Sequence, residues 1–323
     1  MPIIAIIFTS IWVAAGHIAA KIVIMNDPTI PDEIFYSSGE DAAYARQVIS
    51  TPQTEDPAYK LAFQDTDFLL REDLRPIRFQ LELLKPKLLL DEANIGSTLV
   101  MYGSARIPEQ AKADAAVEAA PEGLQKRIAK RLQAKARYYD EARKLGQIAS
   151  QCECDEDGKR QFVVCSGGGP SIMEAANRGA ADVGAESIGL NIVLPHEQAP
   201  NEYVTPSLSF QFHYFALRKM HFLIRARAVA VFPGGFGTFD ETFELLTLVQ
   251  TGKMKALPIL LFGREFWTRI IDFEALAEEG TISPDNLNII RFVETADEAW
   301  QMITEFYQEP IGWKSEPTVL NLN

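Results

Sequence analysis

Twice in this chain a short apolar run ends in a cluster of glycines and passes straight into a helix-like stretch. QFVVCS (161–166) leads through GGGPS into IMEAANRGAADVG, and AVAVF (228–232) leads through PGGFGT into FDETFELLTLVQTGK. STLVMY, ending in Gly103-Ser104, and ALPILLF (256–262) are also followed by helix-forming sequence, the latter by EFWTRIIDFEALAEEG. SIGLNIVL (187–194) adds a further strand before a loop around Pro195–Pro206. Strands that hand over to helices return by crossover, which makes neighbouring strands parallel. The expected fold is therefore α/β, a Rossmann-like doubly wound parallel sheet with helices on both faces and an N-terminal helical extension. Ligands in such sheets bind beyond the carboxyl ends of the strands, where these glycine turns lie.

The remainder of the chain divides by composition. Residues 1–24, MPIIAIIFTSIWVAAGHIAAKIVI, are apolar enough for a membrane segment or signal peptide. No positive charge precedes the apolar run, however, and Gly16 and His17 interrupt it. Three readings stay open: a start assigned too early, with Met25 the true first residue, a membrane anchor, or a buried or partner-facing helix. The flanks favour Met25. Residues 25–96 read as an irregular extension followed by a helical arm whose period is broken by Pro76 and Pro86. Residues 97–310 carry the α/β pattern, and 311–323 form a tail. The basic helical region from Glu109 to Ser150 reads as a solvated face, since it lacks interleaved aromatics.

A net charge of −13 over 323 residues argues against a broad nucleic-acid surface but not against a small anionic ligand. Cys152, Cys154 and Cys165 lack zinc-site spacing and the four histidines are not paired at ligand spacing, so no metal is expected. Free thiols and the character of the sequence after Met25 point to a cytoplasmic protein with no membrane partner.

In SGGGPS the glycines expose backbone amides beside a helix start, which suits an anion, but a tight turn needing positive φ explains them equally. The loop is not the dinucleotide fingerprint, because Ile172 stands where a third small residue belongs, and no Gly-Lys-Ser/Thr follows as in a Walker loop. This excludes an NAD-dependent oxidoreductase. PGGFGT repeats the logic: Gly234, Gly235 and Gly237 expose amides, and Thr238 marks the expected helix start, with Asp240 and Glu241 in the first turn. There the helix dipole would keep an acid ionised beside a substrate, or the acids are simply structural. In HYFALRKMHF (213–222), Arg218 is a candidate for two-pronged recognition of phosphate or carboxylate, while Lys219 reads as a surface residue.

PGGFGTFDE (233–241) resembles the P-G-G-x-G-T-x-x-E signature of the LONELY GUY family, the cytokinin-activating nucleoside 5′-monophosphate phosphoribohydrolases. ALRKM resembles the family's Arg-Lys element, though the methionine follows directly here. YGSARIP resembles its first strand end and SGGGPSIMEAANRGA its second glycine motif. The resemblance runs from Ser97 to Gln308 and is nearest the longer bacterial branch, which includes proteins labelled AMP nucleosidase; many members were formerly labelled lysine decarboxylases.

The resemblance implies hydrolysis of the N-glycosidic bond of a nucleoside 5′-monophosphate, without a cofactor, by a homodimer or higher homo-oligomer. It assigns Arg218 and Glu241 as the catalytic pair and Gly234, Gly235, Gly237 and Thr238 as the phosphate cradle. Gly168 and Gly169 line the pocket, and Ser104 and Lys219 complete the substrate-binding set. The arm before Ser97 and the expanded 109–150 region depart from the short plant-type members and leave the base unspecified. A pyridoxal-phosphate decarboxylase would need a Schiff-base lysine, and neither Lys219 nor Lys253 has that setting. The alternative is a non-catalytic nucleotide-binding or signalling protein that keeps the cradle without turnover.

Overall fold

Every residue of β1 (Thr98–Tyr102) is buried, as a strand covered on both faces requires. It sits at the centre of a seven-stranded sheet with β2 (Val163–Ser166), β3 (Ile188–Ile192), β4 (Ser209–Phe212), β5 (Ala226–Val231), β6 (Ile259–Phe262) and β7 (Ile290–Val293). The order is β4-β3-β2-β1-β5-β6-β7 and every pairing is parallel, in a computed structural model that describes residues 35–195 and 199–308. The apolar segment 1–24, Met25 and the tail 311–323 lie outside the described residues. Contacts divide the chain into two units, 1–75 and 76–323. In the first, short helices are satisfied locally; Ser37 and Glu40, for example, form a reciprocal capping box on Ser38–Ala45.

The sheet's alternation splits the core into two layers. Leu99, Met101, Ala228, Ala230, Leu260 and Phe262 face one side. There they meet α4 (Arg137–Ala149), α5 (Ile172–Asp182) and α10 (Ala296–Gln308) through Leu145, Ala176 and Ile303. Val100, Tyr102, Val229, Val231, Ile259 and Leu261 face the other, against α6 (Phe215–Ile224), α7 (Phe236–Gln250) and α8 (Arg264–Ile270) through Phe222, Leu245 and Trp267. α1 (Arg75–Glu92) adds Leu90 to this second layer.

Several local expectations change. The helical region Glu109–Ser150 resolves into three helices, α2 (Gln110–Ala119), α3 (Leu124–Gln133) and α4. EFWTRIIDFEALAEEG divides into α8 and α9 (Phe273–Glu278), because the Asp272 side chain accepts from Ala275 N–H at 3.0 Å and starts a new helix. β4 and β7, the two edge strands, are additional to the sequence pattern. Pro86 does not break the arm: it lies inside a continuous α1. No helix among the described residues is long and apolar enough to cross a membrane.

Leu99 has no exposed surface in the central strand, so Leu99→Ala should cost about 2–5 kcal/mol in a urea melt, through lost burial and a cavity the flanking helices cannot fill.

Candidate active site

The strand order reverses at β1, which pairs with β2 on one side and β5 on the other. Connections leave the carboxyl ends of β1 and β5 toward opposite faces, and a crevice opens between them. Its floor is tied together by Phe232 N–H donating to the Tyr102 carbonyl at 2.8 Å and Ser104 N–H to the Pro233 carbonyl at 3.2 Å. A cavity of about 600 Å³ fills this crevice, lined by residues that include Tyr102–Arg106, Gly167, Met173, Arg218, Gly235–Phe239 and Glu241.

α7 begins at Phe236, with Gly235 as its cap and no side chain bonded to its free amides. Thr238 is therefore not the cap, and Asp240 and Glu241 fall in the second turn instead of the first. The amides of the first turn are left for a ligand, the arrangement that favours anions at helix starts. Gly234 shapes this turn: a Cβ there would lie 2.1 Å from Thr238 Oγ1 and 2.5 Å from Thr238 Cβ. Gly235 and Gly237 have open space where a side chain would be, so both leave backbone accessible.

Across the cavity, Arg218 Nη1 donates to Glu241 Oε1 at 3.2 Å, and Arg218 Nε donates to the Leu190 carbonyl at 2.7 Å. The guanidinium lies 5.2 Å from the Phe222 ring centroid. Both side chains are nearly enclosed, at 11% and 14% exposure. Burial pushes the Glu241 carboxyl up to about 7; Arg218 pulls it down, and the nearby Asp240 charge pushes it further up. The helix dipole has little hold on this acid, because it sits beyond the first turn and burial is the larger influence. Its neighbour Asp240 is 56% exposed and accepts from Lys219 Nζ at 2.8 Å. Lys219 also reaches Glu244 at 3.0 Å and does not line the cavity, so its expected place in the substrate set is not where the structure puts it.

The SGGGPS turn contributes less than expected. Gly167 lines the cavity, but Gly168 and Gly169 do not. Gly168 has φ +72°, and its carbonyl accepts from Asn201 N–H at 2.8 Å; Asn201 Nδ2 donates to the Gly169 carbonyl at 3.0 Å. Buried Asn177 locks the same turn, accepting from Ser166 Oγ at 2.7 Å and Asn201 Nδ2 at 3.0 Å. The loop is thus a braced turn whose first glycine faces the crevice. Ser104 lines the cavity as expected, and its hydroxyl accepts from Arg106 N–H at 3.0 Å.

Sequence reasoning passed over Tyr102 and Arg106. Tyr102 is a buried phenol at the strand end; burial, then the Glu241 charge, raise its pKa well above the usual value, so it stays an O–H donor. Arg106 is an exposed cation at the cavity wall, and its position two residues after Gly103-Ser104 was the available signal. Among the described residues no three His, Cys, Asp or Glu side chains cluster as a metal site would.

The fold and site define an α/β protein with an amide-lined crevice at the switch point of its sheet and a buried carboxylate–guanidinium pair inside it. A family model described as "possible lysine decarboxylase" matches residues 173–303. The chain is 26% identical over 176 residues to cytokinin riboside 5′-monophosphate phosphoribohydrolase LOG2 of Arabidopsis thaliana, covering 53% of this chain and 78% of that protein. It is 29% identical over 178 residues to the LOG enzyme of Oryza sativa subsp. japonica, covering 54% and 69%. The chain is thus similar to these LOG proteins over about half of its length. Among solved structures, a molybdenum cofactor binding protein from Rippkaea orientalis aligns at 18% identity and a TM-score of 0.38, over 53% of this chain and 88% of that one.

A carboxyl whose pKa is higher folded than unfolded binds its proton more tightly in the native state. It therefore favours folding at acidic pH, and that contribution is lost as pH rises from about 4.5 to about 7. Glu241→Gln removes the loss. Chemical denaturation should show the variant gaining on the wild type across this window, and a constant difference would contradict the assignment.

Proposed function

We propose that this protein hydrolyses the N-glycosidic bond of a nucleoside 5′-monophosphate, AMP or a cytokinin nucleotide, to free base and ribose 5-phosphate. The observation that carries this reading is the Arg218–Glu241 pair facing an amide-lined turn across one cavity. The amides of Gly235, Phe236, Gly237 and Thr238 cradle the 5′-phosphate, with Gly234 giving the turn its shape. Ser104 and Arg106 approach from the β1 side. Phosphate binding energy then orients the ribose over Glu241.

In the reaction the bond between the anomeric carbon and the base nitrogen breaks, and its electron pair leaves with the base. Positive charge develops on the sugar, and ionised Glu241 stabilises it while taking a proton from water. The water oxygen bonds to the anomeric carbon and keeps one hydrogen. The leaving base takes up a proton from solvent and Glu241 returns its own to solvent, so one water is consumed and the carboxylate is restored. Glu241 has one oxygen on Arg218 and, among the described residues, no hydrogen bond to the other, which leaves an acceptor for water or a ribose hydroxyl. Asp240 does not suit this role, being exposed and held by Lys219. We assign this chemistry to residues 97–310 of a cytoplasmic homo-oligomer; the exposed apolar pair Met220 and Ile224, one turn apart on α6, supports self-association.

Incubation with AMP should release adenine, detected by chromatography, and Glu241→Gln should lower kcat by about 10²–10⁴. Since the ionised form acts as base, kcat/KM should fall as pH drops below about 7. Tight AMP binding with no base released would leave the non-catalytic nucleotide-binding reading.

A further inference from the structure

The helix that carries Arg218, α6, is held by α1 at three places. At its start, the Glu82 carboxylate accepts from the backbone N–H groups of His213 at 2.9 Å and Tyr214 at 3.2 Å. Tyr214 is the cap residue of α6 and supplies no side-chain cap of its own, so Glu82 satisfies donors there and sets a negative charge at the positive end of the helix. Phe79 of α1 stacks on the Tyr214 ring with centroids 4.0 Å apart.

Midway, Pro86 has no N–H to offer the carbonyl of Glu82 one turn before it, and His221 Nε2 of α6 meets that carbonyl at 3.2 Å. Burial lowers the His221 pKa, so the ring is neutral and donates through Nε2–H. At the far end, Arg225 Nη2 donates to Asp91 Oδ1 at 2.6 Å and to the Lys87 carbonyl at 3.3 Å. Glu82 meets the start of α6 and Asp91 its end, so the two helices run in the same direction.

Arg218 lies one turn into this clamped helix, its N–H bonded to the Tyr214 carbonyl at 3.1 Å. The charged and titratable groups acting on Glu241 are Arg218 and Lys219 from α6, Asp240 and Glu244 from α7, Tyr102 from β1 and Cys165 from β2. The two cations in that set both ride on α6. A slip of α6 along its axis therefore weakens the pull of both Arg218 and Lys219 on Glu241 at once, while Arg106 on the cavity wall stays with the β1 loop.

We propose that α1 is a positioning element of the active site, with Glu82 fixing the height of α6 and thereby the Arg218–Glu241 contact. The kinetic consequence rests on the hydrolase reading; the geometric one does not. Glu82 is not among the residues that line the cavity, and its effect is transmitted through Tyr214 and the first turn of α6.

The test is a carboxyl NMR titration of Glu241 in the full-length chain carrying ¹³C-glutamate, assigned by the signal lost in Glu241→Gln. It compares the wild type with Glu82→Ala and Glu82→Gln, which retains one acceptor, and with Leu145→Ala, a destabilised control on the other face of the sheet. The Glu241 midpoint should rise in Glu82→Ala, lie between in Glu82→Gln and stay put in Leu145→Ala. In parallel, kcat/KM for AMP should fall about tenfold to a hundredfold in Glu82→Ala, chiefly in kcat. A midpoint unmoved by both Glu82 substitutions, or moved equally by Leu145→Ala, overturns the proposal. If the wild type releases no base, the hydrolase reading fails while the titration still decides the positioning role.

Discussion

The reversal of strand order at β1 is the constraint on which the rest of this structure depends. Parallel strands joined by right-handed crossovers place their helices on one face when the chain moves one way along the sheet and on the other when it moves back. Here α4 and α5 cover one face, and α6 and α7 the other. Where the two directions meet, the connections after β1 and β5 must part, and no side chain need be spent on making the crevice. What the sequence adds is its lining: a glycine-rich helix start, two guanidinium groups and one buried acid, within a chain whose overall charge is −13.

Much of this was legible in the residues. The apolar run, glycine cluster and helix recur at β2 and β5 because each must let backbone approach something closely, and that demand leaves a mark no other residue type leaves. The family resemblance singled out Arg218 and Glu241, and the fold brings them to 3.2 Å. The edges of the sheet were less legible. β4 (SFQF) and β7 (IRFV) are four residues each and mix apolar with polar positions, as edge strands do.

The site details that escaped the sequence depend on partners distant in the chain. The resemblance put Gly168 and Gly169 in the pocket and Lys219 in the substrate-binding set, whereas the two glycine carbonyls are taken by Asn201 and the lysine pairs with Asp240 and Glu244. Thr238 has the chemistry of a helix cap, but Gly235 takes that position and lets the helix begin earlier, carrying Glu241 out of the first turn. That displacement matters electrostatically. An acid in the first turn would be held ionised by the backbone, whereas one a turn further on is pushed toward its neutral form by burial and drawn back by the guanidinium beside it.

The proline in α1 has a consequence of another kind. A helix interior normally keeps its polar backbone to itself, and so can be exchanged for any other helix with a matching apolar face. By withholding one donor, Pro86 leaves the Glu82 carbonyl as a polar address in mid-helix, and His221 is its reader. Both helices would carry an orphaned polar group if paired with a generic partner, so the arm and the arginine helix constrain each other's sequence as a matched lock. A change on either side therefore invites compensation on the other, well away from the crevice they both serve.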